Sequence, residues 1–241
     1  MKIPAVIYDF FMQLSRQAPG SDELVPSALR LLDLPERPLI ADMGCGAGRS
    51  SLQLAERTAG SIVCIDTAEP FLEKLEDEAR SAGIADRIET RLADMLNPGI
   101  DCGTLDLIWA EGSVYLVGYE AALKRWKPLM KPDSSLVVSD CVWLTPDRPE
   151  AAAAFWGQAY PDMTTLDERI RQAADVGFET VHSFELGMHN WDNYYSEIRK
   201  ELASRDDLPT EFIQGLEQEL QTFEEARGTY DYGVLFLKLT S

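Results

Sequence analysis

Three glycines at alternate positions, Gly44, Gly46 and Gly48, follow an apolar run from Leu39 to Ala41 and an acid, Asp42. A helical pattern begins directly after them. An apolar strand that ends in a glycine turn and enters a helix is the sequence form of a nucleotide cradle. Glycine lets the backbone approach a ligand closely, and free amides at the helix start attract polar or anionic groups. Further acids close the later apolar runs. Asp66 ends SIVCID, about twenty residues past the glycines, where a carboxylate can accept both hydroxyls of a ribose. Asp94 and Met95 follow the third run, where an acid and the adjacent amides could read an adenine edge, and Glu111 follows the fourth, in WAEGS. Singly, each has a plain structural use: the glycines as a tight turn, Asp66 as a helix N-cap, Asp94 as a turn former. Their joint order is what points to a nucleoside cofactor.

Other chemistry-bearing residues are few. The chain has two histidines. His182 lies in a strand pattern and reads as structural. His189 opens a polar and aromatic segment beside Trp191, Tyr194 and Tyr195, and is a candidate base; Tyr195 is the other candidate catalytic residue. Tyr115, Trp143, Tyr160, Trp191 and Tyr194 fall in segments expected to face the strands' carboxyl edge, as an aromatic acceptor pocket or simply as packing. Such a pocket could favour a cationic group. Cys45, Cys64, Cys102 and Cys141 are widely spaced, with no CxxC, so a disulfide framework or zinc site is not expected. Three lie in or beside apolar strand-like segments and should be buried small hydrophobes, whereas Cys45 lies inside the glycine turn.

The elements that must position these groups alternate from Leu39 onward. Strands are predicted at 39–43, 61–65, 87–91, 105–109 and 135–140, with helices at about 47–59, 69–82 and 119–130 between them. Parallel strands with helical crossovers make a doubly wound α/β sheet, which binds ligands outside the carboxyl ends of its strands. Residues 146–177 read as helical and irregular. A strand returns near 178–186, helix-like stretches follow at about 191–204 and 209–226, and a last strand, TYDYGVLFLKL, finishes the chain. Two amphipathic stretches precede the first strand. The expected organisation is one domain over 1–241: an N-terminal helical lid (1–34), a core (35–186), a helical cap (187–229) and the last strand (230–241).

Size and charge bound the function. At 241 residues the chain can hold a substantial core, and its 45% hydrophobic and 26% charged content is ordinary for a globular protein. A net charge of −19 repels phosphate backbones, which disfavours nucleic acid as a partner. No apolar run approaches the roughly 20 residues of a membrane helix. The N-terminus does not read as a signal peptide, so a cytoplasmic location is expected. Oligomeric state stays open, with a homodimer one option.

The motifs resemble those of class I S-adenosylmethionine-dependent methyltransferases, and more narrowly the ubiquinone/menaquinone-methyltransferase-like group that acts on small molecules. DMGCGAG is similar to the family's first motif, VCID to its ribose motif and LAD to its adenine motif. LDLIWAEGSVY and WKPLMKPDSSLVVSD resemble its fourth and fifth strands. The turn APGS, with Gly20 and Ser21, resembles a segment that folds over the cofactor's methionine end in related enzymes. The resemblance implies a Rossmann-like, mostly parallel seven-stranded sheet with a cap before the last strand. It also implies a cofactor site of Gly20, Ser21, Asp42, Gly44, Cys45, Gly46, Asp66, Thr67, Asp94, Met95 and Glu111, and in-line methyl transfer from S-adenosylmethionine to a small molecule, leaving S-adenosylhomocysteine. No metal is expected, because Glu111 and Asp140 stand without a third ligand. One departure is Pro132-Asp133-Ser134, where many relatives carry glycine; a local change of geometry is expected there. Two alternatives remain open. One is a nicotinamide- or flavin-dependent oxidoreductase, although Arg49 fills the third glycine position of its fingerprint. The other is a non-catalytic cofactor-binding protein of the same fold.

Overall fold

A computed structural model of the chain describes residues 3–240; the first two residues of the expected lid and the final residue of the expected last strand lie outside the described residues. The elements, in chain order, are α1 (Ala5–Met12), α2 (Leu24–Leu31), β1 (Leu39–Met43), α3 (Arg49–Arg57), β2 (Ser61–Asp66), α4 (Glu69–Ser81), β3 (Ile88–Leu92), β4 (Leu105–Ala110), α5 (Tyr119–Trp126) and β5 (Met130–Trp143). Then come α6 (Glu150–Ala159), the short β6 (Thr164–Thr165), α7 (Leu166–Val176), β7 (Phe178–Glu185), α8 (Met188–Ser204), α9 (Thr210–Glu225) and β8 (Tyr230–Leu239). The strands align in the order β3-β2-β1-β4-β5-β8-β7, with β6 beside the end of β5. β1 to β5 run parallel and β8 runs antiparallel to both β5 and β7. This is the expected mostly parallel seven-stranded sheet, with one two-residue strand added.

Each face of the sheet is covered by helices whose apolar stripes bury against alternate strand residues. One face packs Trp126, Leu123, Ala173 and Val176 on Ile108, Leu136 and Leu235; the other packs Val25, Leu54 and Leu75 on Ile40, Ile62 and Trp109. A third apolar cluster lies apart from these. Phe10, Leu14, Ala152, Trp191, Tyr195, Ile198 and Phe223 gather on Trp143, Tyr230 and Tyr232, at the carboxyl end of β5 and the start of β8. The cap is therefore built from α1, α6, α8 and α9.

Two expected boundaries shift for packing reasons. α2 buries Leu24, Val25 and Ala28 in the sheet-face cluster beside α3, so it is not part of a lid. α6, expected within the core, buries Ala152 in the cap cluster. β5 begins earlier than predicted because Asp133 replaces a glycine turn by taking φ +61° itself, and its pairing with β4 slips between Leu105 and Leu107. Asp tolerates the left-handed region better than most residues, which lets the strand continue.

Candidate active site

The loop after β1 is shaped by close approaches. At Gly44, φ is +76° and a Cβ would lie 2.5 Å from that of Ser113; at Gly48, φ is +83° and a Cβ would lie 2.2 Å from Leu75 Cδ1. Neither position can carry a side chain in this arrangement. Gly48 also explains why α3 starts at Arg49 and not at residue 47. The Gly44 and Cys45 amides donate to the Ile65 carbonyl at 2.8 and 3.0 Å. The Gly46 amide donates to Asp66 Oδ2 at 2.8 Å, and the Ala68 amide to Asp66 Oδ1 at 2.9 Å. Asp66 thus ties the second strand end to the glycine loop, and its remaining lone pairs stay available to ribose hydroxyls.

Behind the loop, Asp42 is only 2% exposed and accepts Ser51 Oγ at 2.6 Å. Burial, with added repulsion from Glu111 and Asp66, pushes its carboxyl up to about 7. Asp66 is also raised by burial, against the pull of the backbone amides it accepts. Glu111 closes the far side, with Oε2 accepting Ser50 Oγ at 2.6 Å and Oε1 accepting Arg16 at 3.2 Å. Three carboxylates therefore ring the glycine loop.

The segment between α1 and α2 folds over this loop. Gln17 Oε1 accepts the Ala47 amide at 3.1 Å, and Arg16 bridges Glu111 and Asp22. Arg49 reaches the same Asp22 at 2.5 Å, and these guanidinium groups hold that carboxyl well below its usual range. On the outer side, Tyr194 donates to the Gln17 carbonyl at 3.2 Å, and both the amide and hydroxyl of Ser15 donate to Glu197 at 2.7 Å. The cavity beneath Arg16–Pro19, lined by Asp42, Gly44, Cys45, Gly46 and Glu111, measures about 80 Å³. A second of about 590 Å³ lies outside it, between 15–23 and the start of α8. Ligand pockets for molecules of cofactor size run to roughly 300–1,000 Å³, so the inner cavity is smaller than such a ligand and the outer one falls within that range. Gly20 and Ser21 line the outer cavity, and a Cβ at Gly20 would lie 2.6 Å from Glu111 Oε1. Arg16, Gln17 and Ser50 were not found by sequence reasoning. Their partners are 30 to 95 positions away, and no periodicity announces them.

Other expected residues are placed as follows. Asp94 is exposed and its Oδ1 accepts the Leu96 amide at 2.8 Å, an Asx turn that leaves the other oxygen free among its hydrogen bonds; the Met95 carbonyl accepts Trp126 Nε1 at 2.8 Å. Thr67 is exposed beside Asp66. Cys45 is half-buried and Cys64 and Cys141 are buried, but Cys102 is exposed because it precedes β4 in a turn. Among the described residues no group of three or more His, Cys, Asp or Glu side chains is arranged to hold a metal. Glu111 is paired with Arg16, and Asp140 with the buried Arg169 at 2.6 Å.

The aromatic set divides. Trp143, Tyr160, Trp191 and Tyr195 are buried in the cap core and do not line the two cavities over the glycine loop. Their polar atoms are used internally: the Tyr160 hydroxyl donates to Asp140 at 3.0 Å, Trp191 Nε1 to Asp231 at 2.7 Å and the Tyr195 hydroxyl to Glu219 at 2.8 Å. Tyr115 and Tyr194 stay half-buried. His189 is exposed on the outer cavity and bonded to Asn193 at 3.1 Å. Of the two candidate catalytic residues, α8 turns His189 toward solvent and Tyr195 into the cap.

Residues 40–133 match the methyltransferase domain family. Methyltransferase GfsG from Streptomyces halstedii is 25% identical over 126 residues, covering 52% of this chain and 45% of that protein. Phosphoethanolamine N-methyltransferase 3 from Arabidopsis thaliana is 23% identical over 202 residues, covering 83% of this chain and 40% of its own length. The chain thus spans less than half the length of these curated relatives. A crystal structure of an S-adenosylmethionine-dependent methyltransferase from Geobacter sulfurreducens in complex with S-adenosyl-L-homocysteine superposes with a TM-score of 0.83 at 18% identity, covering 98% of both chains. Residues 40–133 thus match a methyltransferase domain, on a fold shared with solved S-adenosylmethionine-dependent methyltransferases. No helix among the described residues is long and apolar enough to cross a membrane.

Proposed function

We propose that this protein binds S-adenosylmethionine across the carboxyl ends of β1, β2 and β4 and transfers its methyl group to a small-molecule acceptor. The observation that carries the reading is the glycine loop bonded to Asp66, with Asp42 and Glu111 lining the cavity beneath Arg16. Asp66 would hold the ribose, with Asp94 and the Met95 amide at the adenine. Arg16, Gln17, Ser50 and Glu111 would hold the charged amino-acid end, Gly20 and Ser21 closing over it. When bound, the cofactor supplies an electrophilic methyl on a sulfonium, and the protein's contribution is to bind, align and keep out water. Alignment can be worth roughly 7–11 kcal/mol, and a general base adds only where the acceptor must lose a proton early.

A dinucleotide oxidoreductase fits less well. Its diphosphate would meet three carboxylates, and Arg49, in place of the third fingerprint glycine, is committed to Asp22. A net charge of −19 likewise supports a small acceptor over nucleic acid. The small-molecule reading draws support from relatives such as the Arabidopsis enzyme named for phosphoethanolamine. For the acceptor side, Tyr115 and Tyr194 are the half-buried aromatics at the junction of cap and lid. His189, at the outer cavity, is the exposed base available to an acceptor entering there.

The test is release of S-adenosylhomocysteine on a panel of amines, phenols, thiols and carboxylates. Turnover on one class, lost in Tyr194→Ala while cofactor affinity holds, supports the reading. Cofactor binding with no turnover on any class would favour the non-catalytic alternative, and turnover of NAD would favour the oxidoreductase.

A further inference from the structure

The segment that joins α1 to α2 is pinned at both ends and engaged on two sides. The Met12 carbonyl accepts Lys74 Nζ of α4 at 2.5 Å, and Arg49 of α3 holds Asp22 at 2.5 Å. Between these pins its inner side meets the glycine loop. The Gly44 and Cys45 amides bond Ile65, the Gly46 amide bonds Asp66 and the Gly48 amide bonds the Cys45 carbonyl, so these are satisfied by β2 or by the loop itself. The Ala47 amide instead donates to Gln17. A Cβ on Gly46 would lie 2.8 Å from the same Gln17 oxygen, so that side chain is seated against the loop. Arg16 likewise takes Glu111, with the two side chains only 14% and 10% exposed. The amino-acid end of a cofactor brings a carboxylate, which accepts, and an ammonium, which donates. An amide donor and a carboxylate acceptor are the partners that Gln17 and Arg16 occupy here.

The outer side of the same residues faces α8. The Gln17 carbonyl accepts the Tyr194 hydroxyl at 3.2 Å, and Glu197 accepts both the amide and the hydroxyl of Ser15 at 2.7 Å. Arg16 and Ala18 line the inner and the outer cavity alike. His189, Asn193 and Glu197, spaced four apart on one face of α8, line the outer cavity together with Tyr194. With both ends pinned, a shift of Arg16 and Gln17 is passed to α8 through Tyr194 and Glu197.

We propose that Tyr194 and Glu197 are positioning residues that couple the cofactor's amino-acid end to the wall of the outer cavity, His189 included. The proposal rests on the methyltransferase reading and adds an order to it. The outer cavity takes its working shape once the amino-acid end has taken Ala47 and Glu111 from the segment. The coupling element then has two arrangements, one with Gln17 and Arg16 on the loop and one with them released, and both sites bias it.

The presence of two histidines in the chain supplies the probe. His189 lines the outer cavity, whereas His182 lies on β7 against Phe184 and Phe236. The full chain, carrying isotope-labelled histidine, is followed by NMR at fixed pH, with the signals assigned by His182→Gln and binding measured in parallel by calorimetry. Saturation with S-adenosylhomocysteine is expected to move the His189 signal and leave His182 in place. Methylthioadenosine, a nucleoside thioether without the amino-acid end, should move neither. Tyr194→Phe combined with Glu197→Ala removes the outer contacts of Gln17 and Ser15 and none with the glycine loop. That double variant should keep S-adenosylhomocysteine affinity within about twofold and lose the His189 shift. An unmoved His189 with S-adenosylhomocysteine bound, an equal shift with methylthioadenosine, or a shift that survives the double variant overturns the proposal. Absence of calorimetric binding of S-adenosylhomocysteine overturns the methyltransferase reading instead.

Discussion

Asp42 and Asp66 are neighbours in space with different tasks, and each makes a separate prediction. Asp42, pushed up to about 7, binds its proton more tightly in the folded chain than in the unfolded one, where it titrates near 3.8. The folded state therefore holds more protons across that window, and stability falls as pH rises from about 4 toward 7. Asp140, raised to about 6 by burial against the pull of Arg169, adds a contribution of the same sign. Urea unfolding at pH 5 and pH 8 should show a smaller loss in Asp42→Asn than in the parent; an unchanged loss would mean that Asp42 is not the group that titrates. Asp66 accepts the Gly46 and Ala68 amides and is assigned the ribose as well. Asp66→Ala should weaken S-adenosylmethionine binding by about 1.5–3 kcal/mol, the range for hydrogen bonds to a charged group. Because the same carboxylate ties the glycine loop, the variant without cofactor should also melt lower. The sequence revealed Asp42, Asp66 and Glu111 because each ends an apolar strand. It hid Arg16 and Gln17, whose contacts join remote segments. It also made Trp191 and Tyr195 look pocket-facing, because amphipathic spacing cannot tell a cap's core from its open side.

At the scale of elements, strand positions were legible wherever an apolar run met a turn residue. β1 begins and ends where its pattern does, and β3, β4 and β7 depart by a residue or so. β5 departed most, because Asp133 itself takes the left-handed φ at a point where glycine would have marked a turn. A left-handed φ at a non-glycine residue costs on the order of 1 kcal/mol, somewhat less for Asp. Asp133→Gly should therefore raise the thermal midpoint modestly, with no change in cofactor affinity; a lowered midpoint would show that the Asp side chain itself stabilises the turn. The segment joining α1 to α2 makes the other element-level prediction. It is strapped to the glycine loop by Gln17 and to α8 by Ser15 and Tyr194. It has to open for a cofactor to enter and should close again over it. Amide exchange in 13–23 should slow on binding S-adenosylhomocysteine, whereas unchanged exchange would argue against a lid.

For the whole molecule, sheet and cap divide the labour. The sheet presents its cofactor acids at one edge, as parallel strands with helical crossovers require. The cap, a separate apolar cluster of α1, α6, α8 and α9, packs at that edge. An overall charge of −19 adds to the acids Asp42 and Glu111 that line the cavity, where Arg16 and Arg49 also lie. On the proposed reading, a sulfonium would be favoured at this edge over a diphosphate. Calorimetric titration of the intact chain with S-adenosylmethionine and with NAD, repeated on Asp66→Ala, tests this most directly. The expected result is binding of S-adenosylmethionine in the parent, weakened in the variant, with no measurable binding of NAD in either. Tighter binding of NAD, or S-adenosylmethionine affinity unaffected by Asp66→Ala, would contradict it.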